Sequence, residues 1–327
     1  MNMDLILITL SGILTAGTPL LMAALGETIA ERAGIVNLSL DGTILLAAMV
    51  AFVTASVTSN IWLGLVAGAA IGILAAAVLA VTSLWFGCSQ FAIGFILTLF
   101  YRDLAYFLGQ PWNRQPGPQM TAFSFLREVP GIGPLLSHLN VVTMIGFGLL
   151  GFVWWWLGRT NHGIVLRGVG ENLKAAYSRG VDVLKVKCFA LLAGGALVGL
   201  AGATFSLATK PGWGVPQGIE GSGWIALAIV IFGGWKPLRV AFGAYLFSTI
   251  SVLGIYLQDL LPGVPMQIFQ VASFPVMIFT MLAMNLVETR SFKTLAQRHP
   301  LYKTFIDAAR VRPPAAMGAQ FNPKDVF

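Results

Sequence analysis

The sequence predicts an all-α protein that crosses the membrane about nine times, and three observations predict it. Of 327 residues, 57% are apolar without counting glycine and only 10% are charged, against roughly 45–50% and about 25% in soluble domains. The mean hydropathy is +0.80, which leaves too little polar surface to cover a compact ball of this size. The apolar residues also gather in runs near the ~20 residues that a helix needs to cross a bilayer.

The runs read as spans near 5–25, 36–58, 61–84, 86–109, 139–157, 188–208, 222–235, 238–258 and 267–287. The first has Asp4 and no basic residue ahead of it, which does not fit a signal peptide. The second opens on Asn37 and Asp41, four apart and expected on one helix face. Two roles are open for this pair: satisfying backbone groups at a broken helix start, or touching substrate or gate. In the third span Gly64, Gly68 and Gly72 are spaced for close helix approach, as are Gly195 and Gly199 in the sixth. The fourth begins with Ser89 and Gln90 and carries Arg102 and Asp103 further in. Neighbours on a helix point about 100° apart, so this pair is expected to find partners elsewhere or reach the interface, with a structural role for Arg102. The seventh, bounded by Gly221, Gly223, Gly233 and Gly234, is short. It reads as a half-helix or re-entrant piece, tolerated where protein or a water-filled cavity surrounds it.

Lys/Arg bias gives the orientation. Six basic residues lie in 158–187, two in the turn 233–239 and seven after Val287, fifteen of the twenty in the chain. Alternation of nine spans puts these segments on one side, so the N-terminus is expected outside and the C-terminus in the cytoplasm. The net charge of +7 is then mainly an orientation device, and no nucleic-acid partner is expected. The division that follows is a membrane domain at 1–288 and a cytoplasmic tail at 289–327.

Two connections carry more than linkage. The outer loop 110–138 holds five prolines, which stiffen it, and reads either as an interfacial lid or as a platform for an external partner. In the cytoplasmic segment 158–187, Gly168 to Gly180 reads as a short helix. Asn172 is placed as its N-cap, Gly180 as its C′ residue, and Ala175 with Ala176 as a small-residue face. A helix this short is unstable alone and must pack on the membrane domain or on another subunit.

No phosphate-binding Gly-x-x-x-x-Gly-Lys-Ser/Thr loop, no Gly-x-Ser-x-Gly elbow and no His-Glu-x-x-His helix occurs. Cys88 and Cys188 have no metal-type spacing, and His138, His162 and His299 are scattered. Neither a catalytic residue nor a metal site is expected.

The run from Leu25 to Gly42, with Gly26-Glu27, Glu31-Arg32 and Asn37-Leu38, resembles the opening signature of membrane permeases in bacterial ABC importers. The branch is the one serving branched-chain amino acids, ribose and nucleosides, and its nucleoside type works with basic-membrane-protein-like binding lipoproteins. Gly170, Glu171, Asn172, Ala175, Ala176 and Gly180 resemble the family's cytoplasmic coupling segment, and Gly221 to Pro237 its late signature. The resemblance implies a permease of the bacterial cytoplasmic membrane that is not itself an enzyme and carries no cofactor. ATP would be hydrolysed on a separate ATP-binding subunit that seats the short helix near 172–179. A second permease, a paralogue or a copy, and an extracytoplasmic lipoprotein landing near 110–138 and 209–221 complete the assembly. Asn37, Asp41, Ser89, Gln90 and Trp224 are expected along the pathway of a small polar solute, a nucleoside or related purine or pyrimidine compound. Ser89 stands where the family often has Asn and Asp41 where Glu is common, so the solute is expected to differ from the commonest nucleosides. The competing expectation is an ion-gradient-driven carrier, for which paired midplane carboxylates would be needed; only Asp41 and Asp103 read as acids deep in spans.

Overall fold

The computed structural model describes residues 3–115, 117–121, 139–260, 275, 278–279, 282 and 312–321. Among them are ten α-helices: α1 Met3–Arg32, α2 Leu40–Thr58, α3 Ile61–Ala80, α4 Gln90–Gly109, α5 Val141–Arg159, α6 Asn161–Glu171, α7 Leu173–Ser178, α8 Val183–Thr204, α9 Ser222–Gly233 and α10 Pro237–Leu260. Single π-helical turns extend α3 over Val81–Trp85 and α8 over Phe205–Thr209. Among the described residues, seven helices are long and apolar enough to cross a membrane: α1 to α5, α8 and α10. The expected span 267–287 falls almost entirely outside the described residues.

The expected spans 61–84, 86–109, 139–157, 188–208 and 238–258 correspond to α3, α4, α5, α8 and α10. The expected spans 5–25 and 36–58 need correction. The expected end of span one at 25 is overturned, because α1 runs on to Arg32 and takes Glu27 and Glu31 into the bundle at 1% and 2% exposure. The helix continues past these carboxylates because each is met from outside: the Asn37 N–H donates to Glu27 Oε1 at 2.9 Å, and the Trp235 indole N–H donates to Glu31. The second helix starts at Leu40, since the chain turns at Gly34 (φ +84°) and runs non-helical over 34–39. Asn37 therefore lies ahead of α2 and does not share a helix face with Asp41.

The non-helical stretch carries the chain back into the bundle before α2 begins. Its start is fixed against α4 by one side chain: the Thr98 hydroxyl donates to Leu38 O at 3.0 Å and accepts from Gly42 N at 3.2 Å. Thr98 lies eight residues into α4 from Gln90, about 12 Å along the helix. Helix α2 accordingly begins well inside the membrane region.

Helix α8 is the packing axis, lined by α1, α2 and α3. A Cβ on Gly72 of α3 would stand 2.0 Å from Gly195 O, and one on Gly26 of α1 would stand 2.5 Å from Gly194 O. The helices thus touch backbone to backbone, which replaces the hydrophobic drive that lipid does not supply. The glycine spacing in the sequence was a packing signal.

The turn after α9, the segment α6 to α7 and residues 312–321 gather at one end of the bundle. There the Arg32 side chain donates Nε–H to Trp235 O at 2.9 Å, and Ala316 N donates to Gly170 O at 2.9 Å.

Candidate functional site

The short helix α9 spans twelve residues, about 18 Å of rise and little more than half of the ~30 Å hydrocarbon core. It begins inside the bundle, where Gly221 (φ +84°) turns the chain inward and Gly223 N donates to Asp41 Oδ1 at 3.0 Å. Glycine is required at 223, because a Cβ there would be 2.4 Å from Asp41 N. Asp41 sits in the first turn of α2, so its carboxylate faces the N-termini of two helices at once, each a partial positive charge.

Above this junction lies a cleft of about 860 Å³, within the range of small-ligand sites. Asp41, Gly221 and Trp224 form its floor, and Arg102, Asp103, Tyr106, Lys210 and Glu220 its walls. The Trp224 ring packs on Phe95, centroids 6.5 Å apart. Arg102 Nε and Asp103 Oδ1 pair at 3.1 Å, which corrects the expectation that these neighbours do not meet. With side chains 42% and 70% exposed, the pair adds little to stability and leaves both groups facing the cleft.

The wall opposite α4 is the loop 210–221, held by its own polar groups. Gln217, 2% exposed, donates Nε2–H to Gly212 O at 2.9 Å and accepts from Gly214 N at 2.7 Å, while Lys210 Nζ donates to Gln217 O at 2.8 Å. Glu220 receives the Tyr106 hydroxyl and the N–H groups of Gln217 and Gly218, the last two at 2.7 and 2.6 Å. Burial works against charge on Glu220, but the Tyr106 hydroxyl and the N–H groups of Glu220, Gln217 and Gly218 outweigh it and hold its pKa below the ordinary value. A depressed folded pKa stabilises the loop fully above about 4.3, the unperturbed glutamate value, and that contribution is lost as pH falls through the lower folded value. Acid titration of tryptophan fluorescence, which reads the buried Trp213 of this loop, is expected to show a transition below that value. Glu220→Gln is expected to abolish it; a transition of equal size in the variant would assign it elsewhere.

The structure brings Asp41 and Trp224 to one cleft and leaves the other expected pathway residues out of it. Asn37, 2% exposed, accepts on Oδ1 from Ser39 N at 3.0 Å and Ser39 Oγ at 2.6 Å, and so organises the non-helical stretch beneath. Ser89 caps α4, accepting from Ala92 N at 3.5 Å, and the buried Gln90 accepts from Val36 N at 3.0 Å. Both lie at the far end of α4 from the cleft. Tyr106, Lys210 and Glu220 were not among the expected pathway residues, although the last two lie in the segment 209–221 expected to meet the lipoprotein. Glu220 carried a signal, an acid directly ahead of the glycine-bounded short helix.

At the opposite end, Asn172 Oδ1 accepts from Ala175 N at 3.0 Å and caps α7, and Gly180 (φ +83°) ends it, its N–H donating to Tyr177 O at 2.8 Å. Leu173 is buried, Ala176 half-buried, and Glu171 and Ala175 exposed. Gly170 lies inward, where a Cβ would be 2.1 Å from Arg32 O.

Residues 9–281 match the family model described as the branched-chain amino acid transport system permease component. The chain belongs to that permease family. It is the permease subunit of an ABC importer and a multi-pass protein of the bacterial inner membrane, and the family implies an ATP-binding subunit and a substrate-binding protein beside it. TsgC13 of Haloferax volcanii, named as a candidate glucose ABC transporter permease, is 37% identical over 77% of this chain and 78% of its own length. The nucleoside ABC transporter permease protein NupC of Lactococcus lactis subsp. cremoris is 30% identical over 85% of this permease and 92% of itself. The guanosine ABC transporter permease protein NupQ of Bacillus subtilis is 29% identical over 74% and 81%. No solved structure matches the permease.

Proposed function

We propose that this permease passes a nucleoside, or a related purine or pyrimidine compound, through the cleft above α9. The observation that carries this is the Asp41 carboxylate, held at the cleft floor between two helix N-termini with the Trp224 ring beside it. A carboxylate accepts sugar hydroxyls, and an aromatic face stacks on a flat base. The relatives named for nucleosides and guanosine support the reading. The similarity to TsgC13 favours a second one, a sugar without the base. Uptake of labelled nucleoside into vesicles holding the full transporter, challenged with excess glucose or excess unlabelled nucleoside, separates the two: competition by glucose alone would overturn the first.

The finer architecture belongs to the same proposal. The chain has nine spans with its N-terminus outside, residues 1–288 forming the membrane domain and 289–327 the cytoplasmic tail. Asn37, Ser89 and Gln90 serve the pathway by shaping the stretch that leads to Asp41. A lipoprotein delivers the solute to 110–138 and 209–221, and a second permease, paralogue or copy, completes the channel. The permease is not an enzyme; ATP is bound and hydrolysed on the partner subunit, and the chain itself holds no cofactor. That subunit receives α7 and its flanks, from Gly170 to Gly180. An ion-gradient carrier is the alternative, and accumulation by the chain alone in vesicles under a proton or sodium gradient would establish it.

Ala175 projects from α7 into solvent, so a bulky residue there disturbs the docking face and leaves the permease core intact. Ala175→Trp is expected to insert and purify like the parent but to lose solute uptake while Ala175→Ser retains it. Equal uptake by the tryptophan variant would remove α7 from the docking surface.

A further inference from the structure

The sequence marks 289–327 only as a cytoplasmic tail, yet residues 312–321 are bound into the bundle. Ala316 is buried in an apolar cluster with Val169, Leu173 and Val183, which joins it to α6, α7 and α8. Its N–H donates to Gly170 O at 2.9 Å. Two residues on, Gly318 N donates to Gly34 O at 3.1 Å, at the turn that opens the non-helical stretch 34–39. The Phe321 ring packs on Tyr177 of α7 with centroids 5.3 Å apart. The tail thus touches, within six residues, both the coupling segment and the start of the strand of chain that ends at Asp41.

The docking is anchored by a group that would suffer without it. Lys187 is 1% exposed, and its ammonium donates to Ala319 O at 2.9 Å. A buried cation is costly unless it is hydrogen-bonded, so the tail carbonyl is part of what allows a lysine inside α8. Gln320 Nε2 adds a bond to Gly87 O at 2.7 Å, in the turn between α3 and α4. Gly318 holds φ +74°, with Phe91 3.0 Å from where its Cβ would be. A side chain at 318 is therefore strained and crowded.

We propose that residues 312–321 are a clasp that ties α7 to the turn at Gly34, so that a push on α7 is delivered along 34–39 to Asp41. The residues of the clasp are positioning residues: they touch neither solute nor nucleotide, and they act through the segments they join. Transmission of this kind needs a physical connection that both ends bias, and the clasp supplies one in hydrogen bonds and one tilted ring contact. The inference rests on the reading of α7 as the coupling helix.

The test uses the full transporter in proteoliposomes, with ATP-binding subunit and substrate-binding protein, and reads solute moved per ATP hydrolysed. Gly318→Val dislodges the clasp through its backbone, Phe321→Ala removes only its ring contact with α7, and Phe321→Tyr restores the ring. In the first two the complex is expected to assemble and hydrolyse ATP, while solute per ATP falls about tenfold, within the span of ordinary coupling; Phe321→Tyr keeps the parent ratio. An unchanged ratio in both Gly318→Val and Phe321→Ala overturns the clasp, and so does failure of both to assemble, which would make the segment a folding element only. A parent chain that binds no ATP-binding subunit at all overturns the coupling reading beneath it.

Discussion

Replacing Trp235 by phenylalanine is expected to destabilise the protein by about 3 kcal/mol, the upper range for leaving a buried polar partner unsatisfied. Trp235 is 3% exposed and holds φ +54°, a left-handed conformation that a bulky residue adopts only under constraint. Three bonds impose it. Its indole N–H donates to Glu31, its carbonyl accepts from Arg32 Nε at 2.9 Å, and its own N–H reaches back to Val230 O at 3.2 Å. Phenylalanine keeps most of the apolar bulk and removes the donor, so a carboxyl group 2% exposed loses its indole partner. The measurement is the thermal midpoint in detergent, taken for Trp235→Phe, Glu31→Gln and the double variant. If the two residues act as one unit, the double variant loses less than the sum of the singles by at least about 1 kcal/mol. Additive losses would show that the contact contributes nothing of its own.

The second large effect is on transport. Asp41→Ala removes the acceptor for Gly223 N and the anion that faces the N-termini of α2 and α9. A charge-assisted bond is worth about 1.5–3 kcal/mol, which converts to roughly tenfold or more in an equilibrium constant. Solute uptake by the assembled transporter is expected to fall by that factor, while the thermal midpoint shifts by only the loss of one helix cap. Asp41→Asn keeps an acceptor oxygen and loses the charge; it should retain stability and lose most of the uptake. Parent-level uptake by both variants would reduce Asp41 to a cap.

Most of the fold could be read from the sequence because lipid imposes length and hydropathy on every span. The half-helix could be read for the same reason, since Gly221, Gly223, Gly233 and Gly234 bracket an apolar run too short to cross. The start of α2 was out of reach. Its level in the membrane is fixed by Thr98, sixty residues from Leu38, and no local pattern reports such a contact. Glu27 and Glu31 were misplaced because hydropathy ends a helix at its first acids, whereas Asn37, beyond the turn, and Trp235, far along the chain, each donate to one of the two carboxyl groups. Asp41 and Trp224 were recognisable as candidates because one is an acid in an apolar run and the other belongs to the late signature. Tyr106 and Lys210 were not, as they look like ordinary interfacial residues until the loop 210–221 folds against α4, and Glu220 showed only its place ahead of the short helix. The docking of 312–321 was out of reach too, because the bonds that hold it come from four separate turns and helices.

The Thr98 hydroxyl has a consequence for how the pathway can change shape. In a continuous helix Gly42 N would bond directly to Leu38 O; here a hydroxyl from another helix is spliced into that link, taking the proton from one and giving its own to the other. Withdrawing α4 slightly would let the two backbone groups close on each other. The stretch would then wind up, and the amide and carbonyl would exchange one partner for another with hydrogen bonds conserved on the backbone. The junction ahead of α2 is therefore built like a slip joint, in which winding up would shorten the distance between Gly34 and Asp41.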